Sequence, residues 1–117
     1  MASNRKNTTS LSVQIFKMAS QARLNYLRSL KKYMFERQKG ICVYCERIMK
    51  ITTNTDDMSQ CTFDHIIPKS KNSEIVLCCQ MCNFLKADKP LNIFFKKWPK
   101  KYIKKVLKRI NKYKFKQ

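Results

Sequence analysis

A chain of 117 residues with 44% apolar content has room for one domain with one core, and is too apolar for wholesale disorder. Its 26 Lys and Arg against seven Asp and Glu leave a formal charge of +19 and a pI near 10.0, which points to a polyanionic partner, nucleic acid first and an anionic membrane surface second. No run approaches a membrane span, residues 1–10 (MASNRKNTTS) are polar where a signal peptide would be apolar, and a single glycine argues against an all-β fold.

Residues 1–12 read as disordered. A helix is predicted over 13–38, where Phe16, Ala19, Leu24, Leu27, Leu30 and Met34 recur at helical intervals, a stripe expected to face the core. Arg23, Arg28, Lys31, Lys32 and Arg37 fall on its other faces, and Gly40 is placed to end it in a left-handed cap. Ile41 to Lys50 carries the first cysteine pair, and Thr52 to Gln60 (TTNTDDMSQ) suits a flexible polar loop. Residues 61–67 are β-prone and closed by Pro68, 69–73 read as a loop, and Ile75-Val76-Leu77 as a second short strand.

A helix from Cys79 to about Asp88 follows, ended before Lys89-Pro90. The last predicted element is a basic helix over 98–116, with Pro99 in its first turn. Tyr102, Ile103, Val106, Leu107 and Ile110 mark one face, and Lys100, Lys101, Lys104, Lys105, Lys108, Arg109 and Lys112 supply much of the other. Thirteen of the 26 basic residues lie between Lys86 and Lys116, against Asp88 alone as an acid, so this half would carry most contacts to a phosphate backbone. The expected architecture is α+β.

Without a secretory leader, six cysteines indicate a reducing, intracellular compartment, where paired cysteines hold metal more often than disulfides. Cys42-x-x-Cys45 and Cys79-x-x-Cys82 form two knuckle spacings that can set four thiolates around Zn²⁺. Four cysteines fill the tetrahedral shell, so this zinc would be structural. Cys61 and Cys78 are left over. Cys61 suits a small buried side chain, whereas Cys78 competes with Cys79 as ligand, although only Cys79 gives the second two-residue spacing.

Between the pairs lies Asp64-His65-Ile66-Ile67-Pro68, with the chain's only histidine. A lone histidine is ordinarily a bland surface or core residue. Beside a carboxylate and inside a metal clasp, it can take a proton from water near neutral pH, while Asp64 offers a hard oxygen suited to Mg²⁺ or Mn²⁺. In so basic a chain, that pairing suggests phosphodiester hydrolysis.

The segment CVYC…FDHIIPKSKNSEIVLCCQMCNFLKADK, within Lys39 to Lys89, resembles the HNH endonucleases whose motif is flanked by two cysteine pairs. The resemblance implies a ββα-metal core over 39–89 and a DNA-cutting activity. His65 would be the general base, and Asp64 and Asn83 would hold one divalent ion. Lys86, one turn beyond Asn83, would either touch a phosphate or be a solvated helix lysine. The C-terminal helix lies outside the resemblance; by its charge, Lys104, Lys105, Lys108 and Arg109 would contact the DNA backbone, and cutting both strands would need a homodimer or repeated nicking. One departure stands out. Family members place Asn or His nine positions before the final Asn to brace the hairpin loop; Glu74 stands there here, the loop lacks the common glycine pair, and Asn72 is the alternative brace. A non-catalytic zinc module binding nucleic acid is the rival reading, and an interaction protein using its amphipathic helices the third.

Overall fold

The computed structural model describes residues 10–68, 70 and 73–116. Of residues 1–12, expected to be disordered, 1–9 lie outside the described residues, as do Lys69, Lys71, Asn72 and Gln117, whereas Leu11 and Ser12 already belong to the first helix. The fold is α+β. Helix α1 spans Leu11–Arg37, and strands β1 (Cys61–His65) and β2 (Glu74–Cys79) form an antiparallel hairpin. Helix α2 (Gln80–Lys86) leaves β2 directly, a single turn α3 (Leu91–Phe94) follows, and α4 spans Lys100–Tyr113. A two-residue strand, β3 (Phe115–Lys116), completes a sheet ordered β1-β2-β3.

The chain divides into two units, 1–30 and 31–117. The described part of the first is the helix alone, so Phe16, Ala19 and Leu24, expected to face the core, have no second element within that unit to pack upon. The helical period is real, but a stripe becomes core only where another surface meets it.

The second unit holds a core of Met34, Val43, Tyr44, Met49, Ile75, Val76, Leu77, Phe95, Val106 and Ile110, all buried. Sheet and C-terminal helix meet here because β2 is apolar on both faces, its residues from Ile75 to Cys79 all being buried. That is why β2 runs longer than the predicted Ile75–Leu77. Gln38 is buried among these apolar groups: its amide donates to the Leu77 carbonyl and accepts from the Leu77 N–H, each at 3.0 Å. Beyond the reach of the short β3, one side chain thus does the work of a neighbouring strand, satisfying backbone groups that would be costly to bury unpaired.

Helix α1 ends in a Schellman motif, with Gly40 N–H donating to the Phe35 carbonyl (2.9 Å) and Lys39 N–H to that of Glu36 (3.1 Å). The left-handed turn begins at Lys39 (φ 57) and continues at Gly40 (φ 68), so the glycine shares the cap with a lysine. At the other end, Pro99 caps α4, and the helix stops at Tyr113 rather than 116 because the chain turns extended to pair Phe115 with Ile75 and Lys116 with Glu74.

A Cβ at Gly40 would lie 2.9 Å from Phe35 Cζ, in a backbone conformation that L-residues avoid. Gly40→Ala is expected to destabilise the protein by about 1–2 kcal/mol, measured by urea unfolding with the m-value unchanged.

Candidate functional site: a four-cysteine cluster beside a polar cleft

The first cysteine pair sits on a tight knuckle. Cys42 N–H donates to the Arg47 carbonyl (2.8 Å), Glu46 N–H returns to the Cys42 carbonyl (3.1 Å), and Glu46 adopts a left-handed φ of 65. The second pair straddles the junction of β2 and α2, where Cys79 is the N-cap and its sulfur accepts from Cys82 N–H (3.5 Å). A helix N-terminus favours negative charge, and thiolate ligands carry it. Cys79 N–H in turn donates to Cys42 Sγ (3.3 Å).

The four sulfurs of Cys42, Cys45, Cys79 and Cys82 all lie within 4.8 Å of one another, and Cys45 and Cys79 are 3.7 Å apart. Thiolates at ~2.3 Å around tetrahedral zinc would stand roughly 3.8 Å apart. The cluster therefore fits one metal ion such as zinc. The proximity of the two thiols pushes the Cys42 pKa down and the Cys82 pKa up.

The competition between Cys78 and Cys79 is settled by alternation along β2. Cys79 pairs with Cys61 and Cys78 with Thr62, so adjacent cysteines point to opposite faces. Cys78 is buried beside Thr62 Oγ1 (3.6 Å), where burial and the nearby Asp64 charge raise its pKa. Cys61 is buried too, its thiol pushed up to about 12 chiefly by burial.

Asp64, His65 and Asn83 meet at one cleft of about 180 Å³, lined also by Phe63, Pro68, Lys86 and Asp88. Strand alternation turns Asp64 inward and His65 outward, so the carboxylate is buried and the imidazole exposed. Asn83 reaches back from α2, its amide nitrogen donating to Thr62 Oγ1 (3.0 Å) and to the Phe63 carbonyl (3.3 Å). Those bonds commit the nitrogen to β1 and leave the amide oxygen on the opposite branch.

Lys86 is not a solvated helix lysine in this structure. Its side chain is 1% exposed, and its ammonium sits 3.2 Å from Asp64 Oδ1 and 3.1 Å from the His65 carbonyl. The other Asp64 oxygen accepts the Tyr44 hydroxyl. Tyr44 lies between Cys42 and Cys45, so the knuckle and the cleft share a residue. Arg109 is tied into the fold as well. Its guanidinium turns inward onto the Val43 carbonyl (2.9 Å), the Tyr44 carbonyl (3.3 Å) and Glu46 (2.5 Å), where the Tyr102 hydroxyl joins it on Tyr44. Lys104, Lys105 and Lys108 stay exposed on α4.

Glu74 does not brace the hairpin loop with its side chain, which instead pairs with Lys114 (3.3 Å). The brace comes from Ser73, which no motif or spacing marks out. Its buried hydroxyl accepts from Ile67 N–H (2.9 Å) and donates to the Glu74 carbonyl (3.1 Å), while Ile66 N–H reaches that same carbonyl (3.0 Å). Asn72, the alternative brace, lies outside the described residues.

If the cluster holds the metal that organises this unit, elemental analysis of purified protein should find one zinc per chain, since four-thiolate sites contribute ~10 kcal/mol or more to folding. Cys79→Ser should lose that zinc and most of the cooperative unfolding transition, whereas Cys78→Ser should keep the metal. Equal loss from both variants would remove the assignment of ligands.

Among the described residues no helix is long and apolar enough to cross a membrane. Compared with protein-family models, curated proteins and solved structures, the chain matches none.

Proposed function

We propose that the chain is a metal-dependent DNA endonuclease of the HNH type, with a structural zinc at the four cysteines and its reactive centre at His65. The observation that carries this reading is the convergence of Asp64, His65 and Asn83, from β1 and α2, on one open cleft beside the cysteine cluster. The hairpin of β1 and β2 followed directly by α2 is the order of elements a ββα-metal core requires.

A carboxylate and a carboxamide oxygen are hard donors that suit Mg²⁺ or Mn²⁺, and Asp64 would become a ligand by giving up its Lys86 or Tyr44 bond. Asp64 and Asn83 would hold that ion, which supplies positive charge against the charge building up on phosphate. The exposed His65 imidazole accepts a proton from water as the water oxygen attacks phosphorus. The bond to the 3′ oxygen breaks with its electron pair on that oxygen, which takes a proton from solvent, leaving a 5′-phosphate. Lys86 and Tyr44 fix the direction of the Asp64 carboxylate. The exposed lysines of α4 hold the DNA backbone without reading sequence.

The rival reading, a non-catalytic zinc module that binds nucleic acid, is favoured by one observation: Asp64 already has a partner at each oxygen, Lys86 and Tyr44. Nicking of supercoiled plasmid across a Mg²⁺ and Mn²⁺ titration separates the two. His65→Ala should lower the nicking rate by ~10²–10⁴ with zinc content and DNA affinity retained. Asn83→Ala should also lose activity, with partial recovery at high Mn²⁺. A His65→Ala protein that nicks at the unsubstituted rate gives first place to the binding module.

Binding itself should be strongly salt-dependent. Replacing Lys104, Lys105 and Lys108 with Ala should flatten the slope of log K against log salt by roughly 0.9 for each phosphate no longer neutralised. An unchanged slope in equilibrium binding over several salt concentrations would place the DNA elsewhere on the molecule.

A further inference from the structure

Away from the His65 cleft, a second hollow of about 370 Å³ opens where the end of α2 faces α3 and the turn after it. Its apolar lining comes from Leu85, Ile93, Phe94 and Trp98, and its charged lining is Lys89, Lys96 and Lys97, with no acidic residue among them. Leu85 is 57% exposed and Ile93 48% exposed, so the apolar surface is open to a ligand. The volume lies within the range of about 300–1,000 Å³ common to small-ligand sites.

Trp98 is fixed in place by its neighbours. Its ring lies 4.7 Å from Phe95, 4.9 Å from Phe94 and 5.4 Å from Tyr102, an aromatic row that restricts its rotation. A preset aromatic surface costs a ligand little ordering entropy. A ligand matching this hollow has a flat apolar part for Trp98 and Phe94 and negative charge for the lysines. An unpaired nucleotide has both, and a base within a duplex does not qualify because its faces are already stacked.

We infer that the hollow between Leu85 and Trp98 binds one unpaired nucleotide of a single-stranded nucleic acid, its base on Trp98 and Phe94 and its phosphate among Lys89, Lys96 and Lys97. The inference rests on the nucleic-acid-binding half of the proposed function and not on cleavage. Its position gives it a use. Leu85 and Lys89 line this hollow, while Asn83, Lys86 and Asp88 line the cleft, so one stretch of chain contributes to both. A nuclease built this way would favour substrates with a frayed or single-stranded stretch beside the cut.

Trp98 is the only tryptophan in the chain, so its fluorescence reports on this hollow alone. The full-length His65→Ala protein, loaded with zinc, is titrated with short oligothymidylate and, separately, with a blunt duplex. Binding is followed independently by anisotropy of labelled DNA. Oligothymidylate is expected to quench Trp98 saturably and the duplex to leave it largely unchanged. Trp98→Leu should weaken oligothymidylate binding on the order of ten- to a hundredfold while sparing the duplex, and Trp98→Phe should restore most of the affinity. Lys96→Ala with Lys97→Ala, both on the surface, should weaken oligothymidylate binding without reducing the quench at saturation, which guards against a Trp98 variant that fails to fold. Saturated oligothymidylate binding without quenching overturns the inference, as does equal quenching by duplex. A concentration-dependent emission change without DNA also overturns it, since it would mark a second copy of the chain as the occupant. Plasmid nicking by the unsubstituted protein is scored separately, so loss of the nuclease reading leaves this result standing.

Discussion

The buried charge of Asp64 governs the second unit. A carboxylate at 5% exposure is costly without partners, and two residues from different elements converge to hold it. Lys86 brings the opposite charge from α2 and Tyr44 brings a hydroxyl from the first cysteine knuckle. Burial and the neighbouring carboxylate raise the Tyr44 pKa, so its phenol stays protonated and donates. Such a pair adds little net stability against apolar residues of the same shape, yet breaking it by removing one partner costs about 3–5 kcal/mol. What the pair does is join elements: through Asp64, β1 is tied to α2 and to the knuckle.

Tyr44 extends that constraint outward. Its backbone carbonyl accepts from Tyr102 and Arg109, and its ring meets Phe94 and Phe95 edge-on at 5.3 and 6.2 Å. The C-terminal helix therefore acts on both sides of itself. Tyr102, Val106, Arg109 and Ile110 grip the knuckle and core, and the lysines opposite stay in solvent. A basic helix commits part of its charge to architecture, which a count of charges along the sequence cannot apportion.

Local chemistry is legible in the sequence. The two cysteine spacings identify all four residues of the cluster, because a knuckle is a short-range object. Asp64, His65 and Asn83 stand out together in the sequence and line one cleft. Long-range geometry is not legible. Lys86 has the setting of a surface lysine, and only the arrival of Asp64 from 22 residues away makes it internal. Gln38 is similar, since nothing near it announces that it will meet the backbone of Leu77. Ser73 is hidden because a hydroxyl that braces a loop looks like any loop serine. The stripe of α1 has a true helical period, but period does not reveal whether a facing surface exists. The two-residue β3 is too short to carry any alternation.

The pairing of Cys61 with Cys79 and Thr62 with Cys78 has a consequence for how the hairpin finds its native state. A slip of one residue would exchange the two faces of a strand. Cys78 would then turn toward the other thiols in place of Cys79, or His65 would be driven inward while Asp64 turned to water. The first error would take Cys79 away from its capping place at the start of α2, and the second would take Asp64 from Lys86 and Tyr44. An ion held by Cys42, Cys45, Cys79 and Cys82 would add its binding free energy to the alignment in which the cleft is also assembled.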